Sequence, residues 1–91
     1  MIAKRSKIEI VHDMLSAIGR FQPVGPTKII YKANLSHDRF KEYIGFLEAR
    51  ELVVESSEKG KTIFTLTAKG KDFLSKFTQV QELSEAFGLP L

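Results

Sequence analysis

The sequence predicts a small α+β fold that is mostly helical, and three observations predict it. Apolar residues recur at three- and four-residue steps in several separate stretches. Two short β-forming runs flank a glycine-containing loop ahead of the last of these stretches. Residues able to cap a helix stand just before each longer helical stretch. With 91 residues, 43% of them hydrophobic and 27% charged, the chain has the size and composition of one folded domain.

The elements follow in order. Ser6-Lys7-Ile8-Glu9 is a capping box, in which the Ser6 hydroxyl accepts from the Glu9 amide and the Glu9 side chain reaches back to the Ser6 amide. Ile8, Val11, Leu15 and Ile18, widened by Ile10 and Met14, predict an amphipathic helix over about residues 7–18, with Gly19 as its stop. The stretch 21–26 holds two prolines and a glycine and reads as a loop. Thr27 is placed to cap a short helix over about 28–33, with Ile29, Ile30 and Ala33 inward. Asn34 and Leu35 form the turn out of it.

Ser36 caps a third helix over about 37–50, and Leu35 and Phe40 have the spacing of a hydrophobic staple. Phe40, Tyr43, Ile44 and Leu47 share one face of it. Residues 51–55 are then apolar and β-branched, 56–60 are turn-formers, and 61–66 alternate, which together predict a hairpin. Thr67 caps a last helix over about 68–87, ended by Gly88 and Pro90. Helix, short helix, helix, hairpin and long helix, with a tight turn between the second and third, is the order of a winged helix-turn-helix. Residues 1–66 make up that unit, and residues 67–91 are a helix packed as part of the same domain.

Charge is unevenly spread. Residues 1–41 carry eight basic and three acidic side chains, a balance of +5, whereas residues 42–91 carry six basic and eight acidic, a balance of −2. A basic half points to a polyanionic partner, most simply nucleic acid, or else to a solvated charged face. In a winged helix the third helix enters the major groove and the hairpin touches the adjoining backbone. On the third helix, Asp38, Lys41, Glu42 and Gly45 point away from the core face, Arg39 lies on the flank, and His37 sits at the helix start. Arg39 and Lys41 suit phosphates or a guanine edge, whereas Asp38 and Glu42 oppose a polyanion. Gly45 permits close approach. Ser36 and the first amides of that helix suit a phosphate.

Lys28 and Lys32 share one side of the second helix and suit phosphates. Tyr31 beside them is open to a phosphate contact or, more simply, to half-buried packing. Lys59 and Lys61 flank Gly60 at the hairpin tip, and Lys4, Arg5 and Lys7 form either a basic arm or a solvated tail. His12, beside Asp13, reads as a surface residue.

Residues 27–36, Thr-Lys-Ile-Ile-Tyr-Lys-Ala-Asn-Leu-Ser, together with Phe40 to Leu47, Leu52-Val53 and Thr67-Ala-Lys-Gly70, resemble the small archaeal winged-helix DNA-binding proteins. The closest likeness is to the archaeal ten-kilodalton winged-helix chromatin proteins. The resemblance spans about residues 5–87. It implies a homodimer, joined through an antiparallel coiled coil of the last helices, that binds double-stranded DNA as a regulator or a chromatin protein. In the last helix Phe73, Phe77, Val80 and Phe87 follow a heptad-like seam broken by Ser84, widened by Leu74 and Leu83. Such a seam needs either the chain's own core or a second copy to cover it.

Other classes find little support. Without Cys there is no disulfide framework, thiol nucleophile or Cys-based zinc site, and two His do not make a metal cluster. The sequence shows no nucleophile–base pair and no Gly-rich phosphate loop, so neither an enzyme nor a cofactor is expected. No apolar run spans a membrane, and the basic start lacks the apolar core of a signal peptide. The expected compartment is the cytoplasm, with the nucleoid as the place of action. A winged helix that docks a protein partner is the alternative, favoured by Asp38 and Glu42.

Overall fold

The computed structural model describes residues 5–89. Its elements are α1 (Lys7–Phe21), α2 (Pro26–Lys32), α3 (His37–Ala49), β1 (Val53–Glu58), β2 (Lys61–Leu66) and α4 (Ala68–Ala86). The architecture is the expected α+β, mostly α arrangement of four helices and one antiparallel hairpin.

α1 begins at the capping box as read: the Glu9 amide donates to Ser6 Oγ at 3.3 Å and the Ser6 amide to Glu9 Oε1 at 2.7 Å. The bond from the Ser6 amide to the carboxylate, and next the Ser6 side chain, hold Glu9 below its ordinary pKa. The helix does not stop at Gly19 but runs on to Phe21. Gln22 ends it, because the residue before Pro23 is driven out of the helical region, here to φ −62° and ψ 142°. Gly19 serves packing instead: a Cβ there would lie 3.0 Å from the Leu66 side chain. The buried stripe is the expected one except that it gains Ala17 and loses Ile8. Ile10, Met14 and Ala17 lie inside with Val11, Leu15 and Ile18, and Ile8 is 49% exposed.

α2 starts two residues earlier than a cap at Thr27 would place it. Gly25 is its N-cap and Pro26 its first residue, whose preset φ and missing amide suit that place. Thr27 makes no capping bond. α3 is capped by Ser36, whose Oγ accepts from the Arg39 amide at 3.1 Å. Leu35, the staple residue, packs against the core that Phe40 enters.

α2, α3 and α4 all end in one way. The amides of Leu35, Leu52 and Leu89 donate to the carbonyls of Ile30, Leu47 and Ser84, and the intervening Asn34, Glu51 and Gly88 take positive φ. This is the Schellman ending, and it satisfies carbonyls that the helix leaves orphaned. It explains why residues 51–52 are not strand: Leu52 closes α3 and buries against the core.

β1 therefore begins at Val53 and extends through Glu58, so residues 56–58, expected as turn, are strand. The reversal is only Lys59-Gly60, both at positive φ (51° and 78°), the geometry that matches strand twist in a two-residue hairpin. That turn sets the register, so Ser56 and Ser57 pair with Ile63 and Thr62 despite weak strand propensity. Thr67 caps α4, accepting from the Gly70 amide at 3.0 Å and donating to Glu51 O at 2.6 Å. One core joins these elements, centred on Met14, Leu15, Ile18, Ile29 and Leu47, with Phe40 edge-on to Phe64 at 6.0 Å. Phe73 and Leu74 of α4 close against it.

Candidate nucleic-acid interface

α3 turns Phe40, Tyr43, Ile44 and Leu47 inward and thereby exposes the opposite face. His37, Asp38, Arg39, Lys41, Glu42 and Gly45 are all exposed. A Cβ on Gly45 would meet nothing within 4 Å, so nothing among the described residues requires a glycine there. Ser36 is exposed as well, with its hydroxyl oxygen engaged by the Arg39 amide. Two cations and two carboxylates leave this face near neutral, so it gives little non-specific attraction and relies on matched contacts.

α2 contributes a denser positive group. Lys28 Nζ lies 4.3 Å and Lys32 Nζ 5.2 Å from the centre of the Phe21 ring, with the Arg20 guanidinium carbon at 5.7 Å. The ring is half-buried and the three cations are exposed; such a surface contact is worth about 0.5–1 kcal/mol, so the cluster leaves its charge at the surface. Both lysines thus sit on the flank of α2 that faces the end of α1. Arg20 and Phe21 were not among the residues the sequence singled out. Running α1 as far as the residue before Pro23 would have placed them on its last turn. Tyr31, for which half-buried packing was the simpler expectation, is 78% exposed beside Lys32.

The hairpin brings Lys59 and Lys61 to its tip, both exposed, with Glu58 paired across the strands to Lys61. The N-terminal arm divides. Lys4 lies outside the described residues. Arg5 is fixed: its guanidinium bonds Asp13 Oδ2 at 2.7 Å, Ala33 O at 2.7 Å and Asn34 O at 2.6 Å. It therefore ties α1 to the turn between α2 and α3, a structural role. Lys7 is exposed on the first turn of α1.

Residues 4–85 match the winged helix-turn-helix family. The chain belongs to that family. An uncharacterised protein of the archaeon Methanocaldococcus jannaschii is 38% identical over 80 residues, covering 88% of this chain and 36% of that one. This chain spans about a third of that relative's length. Among solved structures, Sso10a-2, a DNA-binding protein from Sulfolobus solfataricus, superposes with a TM-score of 0.78 at 24% identity, over 91% of this chain and 85% of that one. Staphylococcus aureus MarR, in complex with salicylate and kanamycin, gives 0.71 at 21% identity, over 85% and 54%. At these identities the likeness is one of fold, and the expected resemblance to small archaeal winged-helix DNA-binding proteins agrees with the match to Sso10a-2.

α4 of this winged helix has two halves. Phe73 and Leu74 are half-buried against the core, and Phe77 is 6% exposed, stacked on His12 at 4.4 Å. His12, expected at the surface, is accordingly part-buried, with Asp13 Oδ1 3.5 Å from its Nδ1. Val80, Leu83 and Phe87 are 47%, 59% and 70% exposed. The seam expected to face a second copy is thus filled by the chain's own core at Leu74 and Phe77 and open from Val80 onward. Among the described residues there is no group of three His, Cys, Asp or Glu placed to hold a metal, and no helix is long and apolar enough to cross a membrane.

Proposed function

We propose that this winged helix binds double-stranded DNA as a homodimer, acting as an archaeal transcriptional regulator or chromatin-associated protein in the nucleoid. α3 reads the major groove, the Lys59–Lys61 tip touches the adjoining backbone, and the α2 cluster holds phosphates. One observation carries the reading. Lys28, Lys32, Arg39, Lys41, Lys59 and Lys61 are all exposed, and among the described residues none is engaged by a carboxylate in an ion pair. The description of Sso10a-2 as a DNA-binding protein supports it. The acids Asp38 and Glu42 favour selective contact over bulk coating of DNA. The uncovered end of α4 favours a second copy, and a two-fold pairing would set two α3 helices on one duplex.

The test is fluorescence anisotropy of labelled duplex DNA against the full chain over a salt series. The expected result is binding whose log affinity falls against log salt with a slope of about −0.9 per phosphate neutralised. No binding to random or genomic duplex at low salt would overturn it and leave a protein-docking winged helix.

A further inference from the structure

We infer that the groove between the start of α1, the end of α3 and the start of α4 is a binding site for a small amphipathic anion, a single carboxylate on an apolar body. The groove encloses about 520 Å³. This falls within the ~300–1,000 Å³ typical of small-molecule sites. Its floor and walls are Ile8, Val11, Phe46, Leu52 and Phe73, and its charged lining residues are Lys7, Arg50 and Lys69. All three are cations. The groove between α1 and α4 instead includes Glu82, and the one beneath α2 includes Asp13. A smaller hollow adjoining it, which shares Lys7, Val11 and Phe46, includes Glu42.

The walls are already in place. The Arg50 guanidinium carbon lies 3.8 Å from the centre of the Phe46 ring, a contact that holds both side chains at the rim. Phe46 is 40% and Ile8 49% exposed, so apolar surface faces outward here, uncovered among the described residues. An acyl or aryl body would bury that surface, and its carboxylate would sit among three cations. A neutral analogue would forgo the charge-assisted contacts, and a cationic one would be repelled. Phe46 and Arg50 belong to α3, so the occupant would touch the helix proposed above to read DNA. Binding itself does not depend on that reading.

The experiment is an amide-resolved NMR titration of the full chain with octanoate, 1-octanol and octylammonium. Octanoate is expected to shift the signals of residues 46–52 and 69–73 saturably, with octanol about tenfold weaker and octylammonium weaker still. The double variant Arg50→Glu, Lys69→Glu should lose about the same tenfold for octanoate and nothing for octanol. Both side chains are exposed, so an unchanged spectrum elsewhere will confirm the fold. Equal affinity for the three head groups, or an indifferent double variant, would overturn the site. So would silence of these signals combined with a changed sedimentation mass in the variant, which would assign the groove to a second copy of the chain.

Discussion

The same substitution, Gly→Ala, is expected to have opposite effects at two helical positions. In the first turn of α4, a Cβ on Gly70 would fall far inside van der Waals contact of the Leu52 carbonyl oxygen and 3.2 Å from its carbon. That oxygen is backbone and already accepts the Thr67 amide at 3.1 Å. No rotamer change can relieve the overlap, so α4 must move off the segment entering β1. Alanine gains up to about 1 kcal/mol of helix propensity. Against this stand about 1–3 kcal/mol for overpacking and about 1 kcal/mol for the loosened Thr67 bond. Gly70→Ala should therefore lose about 2 kcal/mol, or roughly 8–16 °C in Tm for a domain of this size. Gly45→Ala meets nothing within 4 Å and should gain about 0.5–1 kcal/mol. Urea denaturation of the two variants beside the parent measures both. If Gly70→Ala matches or exceeds Gly45→Ala in stability, the close approach of α4 to Leu52 is not a constraint and the reasoning fails.

Other outcomes are expected together. Glu51→Gly should gain about 0.5–1 kcal/mol in the same assay, because Glu51 sits at φ 60° where only glycine is at ease. Phe77→Ala should lose about 3 kcal/mol by opening the contact of α4 with His12, and a loss below the size of a surface change would refute that burial. Lys28→Gln with Lys32→Gln should make the salt slope of DNA binding shallower by about 1–2, while an unchanged slope would remove the α2 cluster from the interface. Burial, and next the carboxylate of Glu55, raise the pKa of Glu48 above 4.5. The native state then holds that proton more tightly than the unfolded chain, so stability falls as pH rises from 4.5 through the raised value. Glu48→Gln should be more stable than the parent at neutral pH and show no such advantage below the window. An advantage confined to acid would reverse the sign.

Much of the fold was legible because local chemistry and tertiary packing agree. Ser6, Ser36 and Thr67 cap the helices they precede, and the α3 face of Phe40, Tyr43, Ile44 and Leu47 is buried as its spacing requires. The misreadings have local causes. Gly19 was read as a stop although its small size serves contact with Leu66, a partner 47 residues on that no local pattern reveals. Thr27 was read as the cap and Gly25-Pro26 as loop, but the fixed φ of Pro26 starts the helix there. Ser56-Ser57 was read as turn because its strand state comes from pairing, not propensity. For the site, the exposure of the α2 and α3 cations was legible from helical periodicity. The clustering of Lys28, Lys32 and Arg20 about Phe21 was not, since it depends on how α1 meets α2.

The hairpin has one further consequence, for solubility. β2 is flanked by β1 and, through a bridge at Phe64, by Val24, but β1 has no strand partner on its outer side among the described residues. Its outward amides and carbonyls are a template on which another extended chain can add. Two copies aligned edge to edge, antiparallel, would bring Glu55 and Glu58 of one strand near the same carboxylates of the other, with too few cations on β1 to offset them. The acidic residues of the wing strand thus oppose edge-to-edge growth, and neutralising them should promote aggregation before it affects the fold.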